Sequence, residues 1–160
     1  MPLRPLLFLD VDGVLNPFPE TPPGFEEHDF FPDDDEPVRL SAAHRDWLQE
    51  LAEVYELVWA TGWGDEANRV LNPFFGLPTF PVVPLPATRF EPSMKVPAID
   101  EFAAGRPAAW VDDMLTPEAR AWADARRFAT LLVEVDSATG LTRPQVEDVL
   151  TWAASLRGAG

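Results

Sequence analysis

Leu6-Leu7-Phe8-Leu9-Asp10-Val11-Asp12-Gly13-Val14 is the stretch on which the rest of the chain depends. Four large apolar residues bounded by a turn signal predict a short buried strand, and a buried strand that runs into two carboxylates needs a use for them. Asp10 and Asp12 are two apart, so on an extended chain they share a face at the strand's carboxyl end. In an open parallel α/β sheet that end is where ligands bind. Gly13 lets the backbone turn sharply or approach a ligand closely. The same residues also fit a strand closed by a plain Asx turn.

The bulk composition narrows the field. A chain of 160 residues, 46% apolar and 24% charged, is expected to form one globular domain over residues 1–160. Its net charge of −15 disfavours nonspecific attachment to nucleic acid or to an anionic membrane, because the long-range field repels both. A locally positive site is still compatible with that total. The absence of cysteine excludes disulfides, thiol catalysis and thiolate metal sites. The apolar amino-terminal run is interrupted by Pro5 and ends at Asp10, too short for a signal peptide or membrane span, so a cytoplasmic location is expected. His28 and His44 lie far from the carboxylates and lack metal-ligand spacing. Lys95 is the only lysine among twelve basic residues. Either a compact ammonium is kept where a tight charged site needs it, or one lysine survives by chance.

Along the chain, prolines and the acidic run Asp33-Asp34-Asp35-Glu36 make residues 14–40 a flap segment, a loop or small hairpin over the strand end. Ser41 reads as the N-cap of a helix bearing Trp47, Leu48, Leu51 and Val54 on one stripe. Leu57-Val58-Trp59-Ala60 is a second buried strand, stopping at Thr61-Gly62-Trp63-Gly64. Asp65 and Glu66 open a helix whose amino end faces the strand end, a setting that suits an anion. Phe80–Pro84 is a candidate edge strand, because proline cannot feed a central ladder. Val96 to Ala104 predicts a short helix ending at Gly105. Ala108-Ala109-Trp110-Val111 is a strand running into Asp112-Asp113. Thr116 caps Pro117, Thr130 to Val135 is a fifth strand, and Thr142 or Arg143 with Pro144 starts a last helix before a Gly-Ala-Gly tail expected to fray. Strands alternating with helices predict an α/β fold: a mainly parallel sheet of about five strands with helices on both faces.

Leu9-Asp10-Val11-Asp12-Gly13-Val14 resembles the first motif of the haloacid dehalogenase (HAD) superfamily of phosphohydrolases. Trp59-Ala60-Thr61-Gly62-Trp63, Lys95 and Asp112-Asp113 are similar to its second, third and fourth motifs, in order, over nearly the whole chain. Val14 replaces the commoner Thr, and the fourth motif is a compact Asp-Asp. The resemblance implies a Rossmann-like core of the small capless type, since neither usual insertion point is long enough for a folded cap. It implies a phosphomonoester hydrolase in which Asp10 attacks phosphorus and Asp12 serves as acid and base. Thr61, Gly62 and Lys95 would hold the phosphate, and Trp63 either stacks on the substrate or packs. Mg2+ would be held by Asp10, Asp112, the backbone carbonyl of Asp12 and Asp113, the last directly or through water. Capless members of the superfamily tend to act on exposed phosphates of macromolecules, or to borrow a lid from a partner. A catalytically idle module that binds a phosphorylated partner and a phosphotransferase, including one acting on nucleic-acid ends, share the same motifs. The pattern is also similar to small HAD domains linked to RNA repair, against which the charge pulls.

Overall fold

The computed structural model describes residues 3–86 and 91–158. Leu6–Leu9 form strand β1, every side chain fully buried. The chain then leaves the sheet for a small antiparallel hairpin, β2 (Glu26–His28) and β3 (Val38–Leu40), and returns through helix α1 (Ala42–Ala52). There follow β4 (Glu56–Trp59), α2 (Glu66–Phe75), α3 (Lys95–Ala103), β5 (Ala108–Asp112), α4 (Pro117–Ala125), β6 (Thr130–Glu134) and α5 (Arg143–Gly158). A 3-10 turn, Pro92–Met94, leads into α3.

The sheet runs β4-β1-β5-β6 with every pairing parallel. Alternate residues of the three neighbouring strands go to opposite faces. Leu7, Leu9, Leu57, Trp59, Ala109 and Val111 pack with Leu48 and Leu51 of α1, Leu71 and Phe75 of α2, and Val146 and Val149 of α5. Leu6, Phe8, Val58, Ala108 and Trp110 pack with Ile99 of α3 and Ala119 of α4. Burial on both faces is why these strands read as unbroken apolar runs. Because β1, β4 and β5 are adjacent and parallel, their carboxyl ends, at Asp10, Thr61 and Asp112, meet at one edge.

Among the described residues the sheet has four strands rather than about five. Phe80–Val83 does lie at the edge beside β4, but it pairs only through a bridge between Trp59 and Val82. Pro81 and Pro84 have no amide hydrogen with which to lengthen the ladder. The expected caps are present: Ser41 Oγ accepts from the amide of Ala43, and Thr116 Oγ1 from that of Ala119 at 3.2 Å. The buried stripe of α1 is rotated from the expected one. His44 joins Leu48 and Leu51 in the core, its Nε2 2.9 Å from the Leu141 carbonyl, while Trp47 and Val54 are half-buried. Helix α3 ends at Ala103, and Ala104 at φ 49 takes the turn expected of Gly105. Among the described residues neither insertion point carries a folded cap: one holds the hairpin, the other the single bridge and the 3-10 turn. No helix among them is long and apolar enough to cross a membrane. Ala159 and Gly160 of the tail expected to fray lie outside the described residues.

Candidate active site

A cavity of about 360 Å³ opens at the edge where the three strands end, lined by Asp10, Asp12, Phe18, Thr61, Gly62, Trp63, Pro92, Lys95, Asp112, Asp113 and Met114. Asp10, Asp12, Thr61, Gly62, Trp63, Lys95, Asp112 and Asp113, the residues expected to act at the site, are all on its wall. Asp10 and Asp112 are buried, and the bend after β5 brings Asp113 round beside them. One oxygen from each of Asp10, Asp112 and Asp113 lies within 4.8 Å of the others, close enough to hold one metal ion. Adjacent residues of a strand face opposite ways, so only this bend allows Asp112 and Asp113 to converge.

Gly13 makes the convergence possible. Its φ is +83, and a Cβ placed there would sit 2.2 Å from Oδ2 of Asp113. The close approach expected here from a ligand is made by a carboxylate of the fourth motif.

Lys95, at the first position of α3, reaches Oδ2 of Asp112 at 2.8 Å and Oδ1 of Asp10 at 3.2 Å, and is itself buried. Oδ1 of Asp10 also accepts from the Val11 amide at 2.9 Å, while Asp112 accepts from the Trp110 indole at 3.2 Å and the Met114 amide at 3.0 Å. Burial pushes the Lys95 ammonium toward neutrality, but Asp10 and Asp112 outweigh it and hold the group charged above its ordinary range. Burial drives Asp10 well above the usual carboxylate range; Lys95 opposes this and Asp112 adds to it. Burial likewise raises Asp113 to about 6. Among the described residues three carboxylates thus gather beside one ammonium, which leaves them short of positive charge. An all-oxygen donor set with that deficit fits a hard divalent cation.

Thr61 is buried at the end of β4. Its Oγ1 accepts from the Trp63 amide at 3.2 Å, which leaves the hydroxyl hydrogen for an acceptor in the cavity. That amide is spent on Thr61. The carboxylate of Asp12 is exposed and stands apart from the metal-competent trio, with Oδ1 accepting from Asn16 Nδ2 at 3.0 Å and from the Trp63 indole at 3.1 Å.

The sequence matches the HAD domain in Swiss Army Knife RNA repair proteins over residues 6–146. The chain belongs to that HAD family. Membership makes it, at the general level, a phosphoesterase-type HAD domain, and such domains generally use Mg2+. No curated protein matches the chain.

Several residues of this HAD site escaped the sequence reading. Asn16 carries Asp12 on its amide nitrogen, while its Oδ1 accepts from the backbone of Arg39 at 2.7 Å. Arg39, buried on β3, binds Thr21 Oγ1 at 2.9 Å and Glu36 at 3.1 Å, tying the hairpin to the loop after β1. Phe18 and Met114, 42% and 50% exposed, stand at the cavity mouth. Asn16 is close enough to the first motif to draw notice, but nothing in the sequence pairs it with Arg39. A second, wider hollow of about 580 Å³ adjoins the first across Asp12, Gly62 and Trp63, walled by Phe31, Asp34, Asp35, Glu36 and Glu66.

Proposed function

We propose that the protein is a Mg2+-dependent phosphomonoester hydrolase acting through an aspartyl-phosphate. The observation that carries this reading is the convergence of Asp10, Asp112 and Asp113 within 4.8 Å around a buried Lys95 in one open cavity. Asp10, Asp112 and Asp113 would hold the cation, together with the Asp12 carbonyl. When bound it would supply charge to the phosphoryl oxygens, as phosphoryl transfer demands. Lys95 and the Thr61 hydroxyl stabilise the same oxygens from the protein side. A carboxylate oxygen of Asp10 attacks phosphorus as the bond to the substrate oxygen breaks; that oxygen leaves with the electron pair and takes a proton from Asp12. Water then loses a proton to Asp12 and attacks the same phosphorus, the bond to Asp10 breaks, and both aspartates are restored.

A phosphate on a nucleic-acid end is the second reading, favoured by the family's occurrence in RNA repair proteins. Acids of the flap wall one side of the site and disfavour a polyanionic chain there, while exposed Phe18 and Met114 at the cavity mouth offer an apolar surface for a base. Phosphotransfer to another acceptor uses the same groups. A module that merely binds phosphate has no need of the nucleophile.

Phosphate release from a generic phosphomonoester, with Mg2+, with EDTA and in Asp10→Asn, tests the main reading. Release that disappears in both controls is expected. A folded protein inert toward a broad phosphoester panel overturns it. Faster release from a phosphorylated RNA end than from a small ester would favour the second reading.

A further inference from the structure

Asp12 is the one motif carboxylate outside the buried cluster, and an exposed side chain is normally free to change rotamer. Proton transfer tolerates little of that freedom, since the acid must come within roughly 2.6–3.2 Å of the leaving oxygen. Two N–H groups restrain it. Asn16 Nδ2 and Trp63 Nε1 converge on Oδ1, at 3.0 and 3.1 Å, and among the described residues no donor reaches Oδ2.

Trp63 is itself held in place from two sides. Its backbone amide is bonded to Thr61 Oγ1, and its ring meets Phe31 of the flap edge-on, 5.3 Å between centroids at 74°. Its indole N–H is therefore directed at a carboxylate 51 positions away in sequence.

We propose that Trp63 is a positioning residue for the general acid and base Asp12. With Asn16 it pins the carboxylate by Oδ1, and Oδ2 is left as the oxygen that gives a proton to the leaving group and takes one from water. This inference rests on the role proposed above for Asp12. It adds to the packing expected of Trp63, which its contact with Phe31 bears out, a role that acts through another side chain.

The test compares two substrates. The phenolate of p-nitrophenyl phosphate leaves without help, whereas the alkoxide of an alkyl phosphate must be protonated as it departs. Trp63→Phe keeps a ring against Phe31 but loses the N–H. Trp63→His places Nε2 at the ring position of the indole nitrogen but loses the second ring. The quantity read is the ratio of kcat/KM for the alkyl ester to that for the p-nitrophenyl ester.

Trp63→Phe is expected to lower this ratio about tenfold or more, a fraction of the 10²–10⁴ that positioned proton transfer contributes. Trp63→His is expected to recover most of it. In an Asp12→Asn background Trp63→Phe lowers the ratio no further, because there is no acid left to position. Asn16→Ala, which removes the other donor, shows the same selective loss and decides the matter if Trp63→Phe does not fold. An unchanged ratio in Trp63→Phe, or a greater loss in the His variant than in the Phe variant, overturns the proposal. In either case wild-type release that is abolished by Asp10→Asn leaves the hydrolase reading intact. Failure of the wild type on both esters removes both readings.

Discussion

Replacing Gly13 with alanine should loosen the proposed metal site without replacing any of its carboxylates. The added Cβ would lie 2.2 Å from Oδ2 and 2.4 Å from Cγ of Asp113. Ordinary contact between such atoms is about 3.5 Å, so the carboxylate must retreat by more than about 1 Å. The substitution also places an L side chain at φ +83, a left-handed conformation that costs about 1–2 kcal/mol. Gly24 separates the two effects, because its φ is +85 and a Cβ there meets nothing within 4 Å. Both variants should lose about 2–8 °C in Tm with EDTA present, from backbone strain in a domain of this size. Only Gly13→Ala should also raise the Mg2+ concentration for half-maximal thermal stabilisation, about tenfold to a hundredfold, the usual effect of disturbing a ligand's support. In an Asp113→Ala background that extra effect should vanish. Equal Mg2+ responses in Gly13→Ala and Gly24→Ala would refute the argument that Gly13 is there to admit Asp113.

Lys95→Met leaves Asp10 and Asp112 without their buried cation and should cost about 3 kcal/mol or more in denaturant titration with EDTA at pH 8, and less toward acid pH, where Asp10, raised by its burial, takes up a proton. Lys95→Arg should not restore phosphate release, because a planar guanidinium does not replace a compact ammonium between two acids. Asp113 rises from 3.8 to about 6 on folding, chiefly through burial, so the folded state binds its proton more tightly than the unfolded chain does. Its contribution to metal-free stability is therefore complete below pH 4 and lost as pH climbs through 6. A shift of that size corresponds to about 3 kcal/mol at full burial, about half that after solvent screening of a half-exposed group. Denaturant titrations of wild type and Asp113→Asn from pH 4 to 8 should diverge by that amount. Thr116→Ala removes the cap of α4 and should cost about 1 kcal/mol, or roughly 2–4 °C in Tm, with phosphate release unaltered.

Much of this site is legible from the chain because its chemistry is concentrated at strand ends. Leu9-Asp10-Val11-Asp12, Ala60-Thr61 and Val111-Asp112 each abandon an apolar run for a polar residue, and parallel pairing of β1, β4 and β5 then brings the three together. Ser41 and Thr116 were equally plain, since a cap acts within a few residues of itself. The short pairing at Val82 was not, because whether a proline-flanked segment forms a strand depends on how many amides face its neighbour. Nor was the burial of His44, which is set by the carbonyl of Leu141 at the far end of the chain.

The sequence by itself determined the order of elements, the identity of the four motifs and the lone lysine among the acids, because these rest on local pattern and on residue type. Only the tertiary structure decided that Asp113 turns in beside Asp10, that Gly13 makes room for it, and that Trp63 gives its N–H to Asp12. Each of those contacts joins segments distant in sequence, and its geometry exists only once parallel strands and their loops have been packed against one another.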